Sequence, residues 1–211
     1  MKTDDLINAL AADGAAKTSR PGRVWSLGLA GGAIFSLVML VLTLKIRSDI
    51  GAVAFNPRFL FKFVAAVSFA VPATWLAARL ARPAVVAGRP ALLAVAPVLL
   101  AVACGLDLWL TPEATWEAQA MGHYAPYCVT CVPLFALAPL GGILYALSRG
   151  APTNQRVAGL FAGLAAGGVG AVVYALHCPD DSPLFLTIWY SLAVAFTGAI
   201  GAFLGPYVLK W

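Results

Sequence analysis

The sequence predicts an all-α protein: a six-helix transmembrane bundle with its N-terminus and C-terminus both cytoplasmic and a short amphipathic helix in its N-terminal tail. Three observations lead there. Apolar residues make up 61% of the 211-residue chain and charged residues 11%, against roughly 25% charged in a soluble domain. Six stretches each hold the roughly 20 mainly apolar residues that a spanning helix requires. None of them shows the period-two alternation of a barrel strand. The 20 Gly and 14 Pro fit the same class. Small residues let membrane helices approach closely, and neighbouring helices re-satisfy the backbone groups that Pro frees. The formal charge of +5 does not indicate nucleic acid, because Lys and Arg sit in the short segments between apolar runs, where they set topology.

Residues 1–23 form a polar cytoplasmic tail. In MKTDDLINALAAD, Thr3 is a suitable N-cap, and Asp4 and Asp5 favour a helix N-terminus. Leu6, Ile7 and Leu10 fall on one face, and Gly14 can end the helix. Two to three turns are marginal in water without a partner. Asp4, Asp5 and Asp13 oppose contact with anionic lipid, which leaves a helix-in-groove contact with a cytoplasmic protein. The apolar run that follows is about 21 residues long, whereas a signal-peptide core has about 7–15. An uncleaved first span is therefore expected.

Residues 24–211 form the membrane domain. The expected spans are Val24–Leu44, Phe59–Leu80, Ala91–Leu110, Cys128–Ser148, Val157–Leu176 and Leu184–Leu209. Short connections should make consecutive helices antiparallel neighbours. With the N-terminus inside, ten Lys and Arg fall on the cytoplasmic side and four outside, the four being Lys45, Arg47, Arg58 and Lys62 in and beside the first outer connection. That bias favours cytoplasmic termini.

This orientation gathers the polar chemistry on the outer side. Glu113, Glu117, His123, Cys128, Cys131, His177, Cys178, Asp180 and Asp181 lie there, and an extracytoplasmic compartment permits disulfides. Cys128 and Cys131, three apart in YCVTC, can offer both sulfurs to one partner, and such spacing tends to favour the reactive thiolate. Cys178 begins the last outer connection at the same depth. The thiols are open to three readings: structural cysteines, redox or thiol-reactive sensing, and metal binding. A metal site would draw on Cys128, Cys131 and Cys178 with His123 and His177, although the second CxxC pair of a structural zinc site is absent. Cys104, inside the third span, reads as core.

Asp107 in the third span calls for an ion-pair partner, Lys62 or Arg58. It stands alone among the acids of the spans, which counts against a transporter. Glycines at four-residue steps, Gly28 and Gly32, then Gly159, Gly163 and Gly167, then Gly201 and Gly205, mark close helix seams. No catalytic motif and no phosphate-binding loop occurs, and no cofactor is expected. Enzyme chemistry would have to come from the thiols, as in a membrane thiol-disulfide oxidoreductase coupled to quinone, which generally needs a second working pair.

The tail, the six spans and the outward cysteines together resemble the NrsF family of bacterial membrane anti-sigma factors. The resemblance implies a multi-pass protein of the inner (cytoplasmic) membrane, with no direct nucleic-acid contact. It would hold an extracytoplasmic-function sigma factor inactive until oxidant or heavy-metal stress releases it. It further implies Cys131 and Cys178 as the sensing pair, accompanied by Cys128. Asp4, Asp5, Leu6, Ile7 and Leu10 become the region of sigma-factor contact. The tail has neither His nor Cys, which excludes the zinc-binding type of anti-sigma domain.

Overall fold

A computed structural model describes residues 21–82 and 90–210 and, in the tail, Thr3. The expected tail helix, with Asp4, Asp5, Leu6, Ile7 and Leu10, lies outside the described residues. Among the described residues, six helices are long and apolar enough to cross a membrane. They are built on α1 (Pro21–Thr43), α2 (Pro57–Leu80), α3 (Val95–Leu110), α4 (Ala125–Ser148), α5 (Gln155–Ala175) and α6 (Ser191–Val208). A 3₁₀ turn, Pro90–Ala94, leads into α3, and a short helix, Trp116–Met121, precedes α4. Before α6 come one helical turn, Pro183–Phe185, and a π-helical stretch, Leu186–Tyr190. No strand occurs among the described residues.

Local chemistry sets the helix starts. α2 begins at Pro57, where a missing N–H costs nothing and the fixed φ is already helical, and Asn56 Oδ1 accepts from Arg58 N at 2.9 Å. α5 begins two residues before its expected start because Asn154 Oδ1 accepts from Val157 N at 3.0 Å, an N-cap that satisfies one of the orphan donors of the first turn.

α5 is the central helix: 72% of its most apolar stretch is buried, against 11% for α1. α2, α4 and α6 pack around it, α6 also touches α4, and α3 is peripheral, resting on α2 and the start of the last helix. Consecutive helices were expected to be neighbours. Instead α1 packs on α4, far more extensively than on α2. The glycines explain the choice. A Cβ at Gly28 would run into the backbone of Gly142, and one at Gly32 into the backbone of Pro139, so both positions admit only a bare backbone. The α5–α6 seam is built the same way, Gly159 lying against Gly201 and Gly163 against Thr197 and Gly198. The expected seams are real, and they lie within the chain.

Pro139 adds a specific tie. It has no N–H to offer the carbonyl of Phe135 one turn earlier. Ser36 on α1 supplies the missing donor: its hydroxyl is 2.6 Å from Phe135 O and 2.9 Å from Gly32 O, and Ser36 is buried.

The antiparallel run brings both described ends of the chain to one face of the bundle. There Ala151 N donates to Ala81 O at 3.0 Å and Gln155 Nε2 donates to Leu209 O at 2.9 Å. The opposite face gathers the connections after α1, α3 and α5, and with them the predicted outer residues.

Candidate functional site

The site grows from the connection between α5 and α6. Its chain bends back over the mouth of the bundle and is fixed by backbone bonds. His177 N and Cys178 N both donate to Tyr174 O, at 2.9 and 3.1 Å, and Arg47 N donates to Leu176 O at 3.1 Å. Two residues beyond α1, Lys45 lies in the left-handed region, φ 62°, uncommon for a residue other than Gly. This turn sets Lys45 O 2.9 Å from His177 Nδ1. The connections after α1 and after α5 are thus joined directly.

Beneath that connection lies a network of charges. Lys62, on α2, is wholly buried. Its ammonium is 2.5 Å from Asp181 Oδ1 and donates to Cys178 O at 2.8 Å. Asp181 Oδ2 also accepts from Arg47 Nη1 at 3.0 Å, and Arg47 Nε pairs with Asp49 Oδ1 at 2.7 Å. The hydrogen bond to Asp49, with a further contribution from Asp181, holds the Arg47 guanidinium above its ordinary pKa against the opposing effect of burial. The same bond holds the exposed Asp49 carboxyl below its usual value. Two cations and two carboxylates balance, which is what burial of charge requires.

Asp180 serves a different helix. Its Oδ2 accepts from the backbone N–H of His123 and of Tyr124, at 3.0 and 2.9 Å. These groups precede the first turn of α4, where a carboxylate satisfies orphan donors and opposes the helix dipole. The start of the cysteine helix is therefore capped from the last connection.

The thiols sit among these elements. Cys128 and Cys178 are both fully buried, in one cluster with Tyr174, Phe185, Leu186 and Tyr190. Cys131 lies at its edge, partly exposed, and faces an apolar cavity between α1 and α4 lined also by Ser36, Met39 and Leu44. Burial raises the Cys178 thiol to about 11, with Lys62 acting in the opposite sense. All four cysteines are free thiols. The resemblance implied Cys131 and Cys178 as the pair; in this structure Cys178 shares its buried cluster with Cys128, and Cys131 borders it. Cys104, expected in the core, is only partly buried on α3 and stands outside the cluster.

The candidate metal ligands are not drawn together. The His123 side chain is 92% exposed, 3.8 Å from Asp180. The His177 ring stands edge-on to Tyr124. Among the described residues, no three His, Cys, Asp or Glu side chains form a group able to hold a metal ion.

Asp107 pairs with Arg58, Nη2 to Oδ1 at 2.6 Å, one of its two expected partners. Lys62, the other, is committed to Asp181. Sequence reasoning offered Lys62 only as a partner for Asp107 and treated Arg47 as a topological charge. The available signal was a Lys in the second turn of an apolar span, which demands a carboxylate from somewhere. The hydroxyls of Tyr174 and Tyr190 were also missed. Both are buried beside the thiols without a protein hydrogen-bond partner.

Comparison with known proteins gives the arrangement a context. Residues 10–211 match the family model NrsF, described as negative regulator of sigma F. The chain is 32% identical to the anti-sigma-F factor NrsF of Caulobacter vibrioides over 214 residues. It is 31% identical to the probable anti-sigma-F factor NrsF of Azospira oryzae over 213 residues. Each alignment covers 100% of both chains. No solved structure matches. The family match begins at Leu10, so Asp4, Asp5, Leu6 and Ile7 precede it, although the two relatives align through them. A regulatory family displaces the oxidoreductase reading. Six membrane-length helices among the described residues, a thiol cluster at the face opposite the start of α1 and the end of α6, and full-length likeness to two anti-sigma factors lead to one conclusion: this chain belongs to the NrsF family of negative regulators of sigma F, and its role is regulatory, not catalytic.

Proposed function

We propose that the chain is an anti-sigma factor of the bacterial inner membrane. Its cytoplasmic tail, through Asp4, Asp5, Leu6, Ile7 and Leu10, holds an extracytoplasmic-function sigma factor. Oxidation of Cys128, Cys131 and Cys178 on the outer side, or their capture by a heavy metal with His123 and His177 as further ligands, releases it. The observation that carries the reading is the separation of the two ends: the thiol cluster lies at the face opposite the one from which the tail departs. The excess of Lys and Arg on the face of the termini supports cytoplasmic termini. Moving a two-state protein from 1:99 to 99:1 takes about 5.5 kcal/mol. A metal–thiolate site, at about 10 kcal/mol or more, covers that; one new disulfide, at about 2–4 kcal/mol, gives a partial shift.

Two measurements test this in cells that carry a sigma-dependent reporter. Leu6→Asp should lose the sigma factor on co-purification and leave the reporter constantly on. The triple variant C128S/C131S/C178S should retain the sigma factor but fail to respond to cadmium or peroxide. A normal response in the triple variant would sink the sensing step. Retention of the sigma factor by L6D would sink the tail contact.

A further inference from the structure

We propose that Lys62 is the positioning residue of the thiol site: through Asp181 and the carbonyl of Cys178 it holds the last outer connection down over the two buried thiols, and so sets how readily Cys178 can be reached. This deepens the proposed function and rests on its thiol reading.

The argument begins with cost. An ammonium on a spanning helix is expensive and persists where it faces partners inside the bundle. Lys62 lies in the second turn of α2, wholly buried, and both of its partners come from one short segment, Cys178 and Asp181. Only that segment in its present place satisfies the charge. Arg47 completes the clamp by holding the other oxygen of Asp181 while its backbone N–H holds Leu176 O. The clamped segment is the one that buries Cys178, which is fully inaccessible. A reagent in water therefore meets Cys178 only after Lys62 has lost its partners. Conversely, any chemistry at Cys178 that moves its backbone strands the ammonium inside α2, a helix that runs through to the face of the termini. The clamp thus acts at both stages: it shields the thiol at rest, and it passes a shift of the connection on to a membrane helix.

The test uses the full chain in spheroplast membranes, with Cys104, Cys128 and Cys131 replaced by Ser so that Cys178 is the single thiol. The readout is its rate of labelling by a membrane-impermeant maleimide. Lys62→Met keeps the unbranched shape and removes the charge. It should speed labelling roughly 10- to 100-fold, the range for losing charge-assisted hydrogen bonds. Asp181→Asn leaves the buried ammonium without its carboxylate and should speed labelling further. The double variant K62M/D181N removes the ammonium and its carboxylate together, so it lacks the clamp but strands no charge; it should label as fast as K62M and more slowly than D181N, at membrane levels that match the parent. A merely misfolded variant would not reach those levels. Labelling of K62M at the parent rate, or return of the double variant to the parent rate while membrane levels match, would overturn the inference. The reporter strain separates the two levels of claim. If C178S responds to stress normally, the thiol reading itself fails; if C178S is silent and K62M labels slowly, only the role of Lys62 fails.

Discussion

Ser36 and Pro139 yield a prediction whose size follows from the structure. Pro139 leaves Phe135 O without its helical donor, and the Ser36 hydroxyl fills that role from α1 at 2.6 Å. Ser36→Ala leaves a carbonyl in a dry seam, where an unmet acceptor costs about 1–3 kcal/mol. Hydrogen bonds between membrane helices measure lower, about 0.6 kcal/mol on average and about 1.7 at most. The expected loss is therefore about 1–1.5 kcal/mol. Pro139→Ala restores an N–H that the same carbonyl can take within α4. In that background Ser36→Ala should cost about 0.5 kcal/mol or less. The assay is a double-mutant cycle on unfolding in mixed micelles, followed by helical circular dichroism. A coupling near 1 kcal/mol supports the tie. Additivity within about 0.3 kcal/mol, the behaviour of independent sites, would refute it. In the proposed function this seam is the link between α1, which follows the tail, and α4, which carries Cys128 and Cys131.

Three further outcomes are expected. Gly201→Leu drives a side chain into the backbone of Gly159 and Gly163; it should destabilise the bundle by about 3 kcal/mol or more, seen as loss of a monodisperse elution peak, while Gly31→Leu, with open space around it, should elute normally. Asp180→Ala removes the acceptor of two backbone N–H groups before α4 and should cost about 1–2 kcal/mol, whereas His123→Ala, at an exposed side chain, should leave the melting curve unchanged. Alkylation of Cys178 as the single thiol should rise with pH toward a midpoint near 11, far above the value of about 8.5 for a free cysteine. The sign for stability follows: the unfolded chain gives up this proton first, so stability falls as pH climbs from the ordinary cysteine range through about 11.

Much of the fold was legible because its signals are local. A run of apolar residues is a span whatever its neighbours are, and Gly159, Gly163 and Gly167 declare a seam by spacing alone. The choice of partner was not legible. Nothing in α1 says that its glycines meet Gly142 and Pro139 in preference to α2, since four helices offer small residues at suitable spacing. Lys62 was misjudged for a related reason. Among the acids of the spans only Asp107 was there to pair with it. The last connection folds back into the bundle, so Asp181 reaches a depth that counting outward from α5 cannot give. At the thiol site, the grouping of Cys178 with YCVTC was visible from topology. Which of the two YCVTC cysteines goes inward depends on the rotation of α4 about its axis, and that is fixed by the α1–α4 and α4–α5 seams together.

The capping of α4 by Asp180 and the pairing of Lys62 with Asp181 bear on how the protein is made. Helices enter a membrane in the order of synthesis, and α1 to α5 are complete before residue 180 exists. Until the last hairpin arrives, α4 begins without its cap and α2 carries a bare ammonium. A nascent or truncated chain therefore presents a charge in the bilayer that the finished chain hides. Closure over the thiols is the final act of assembly.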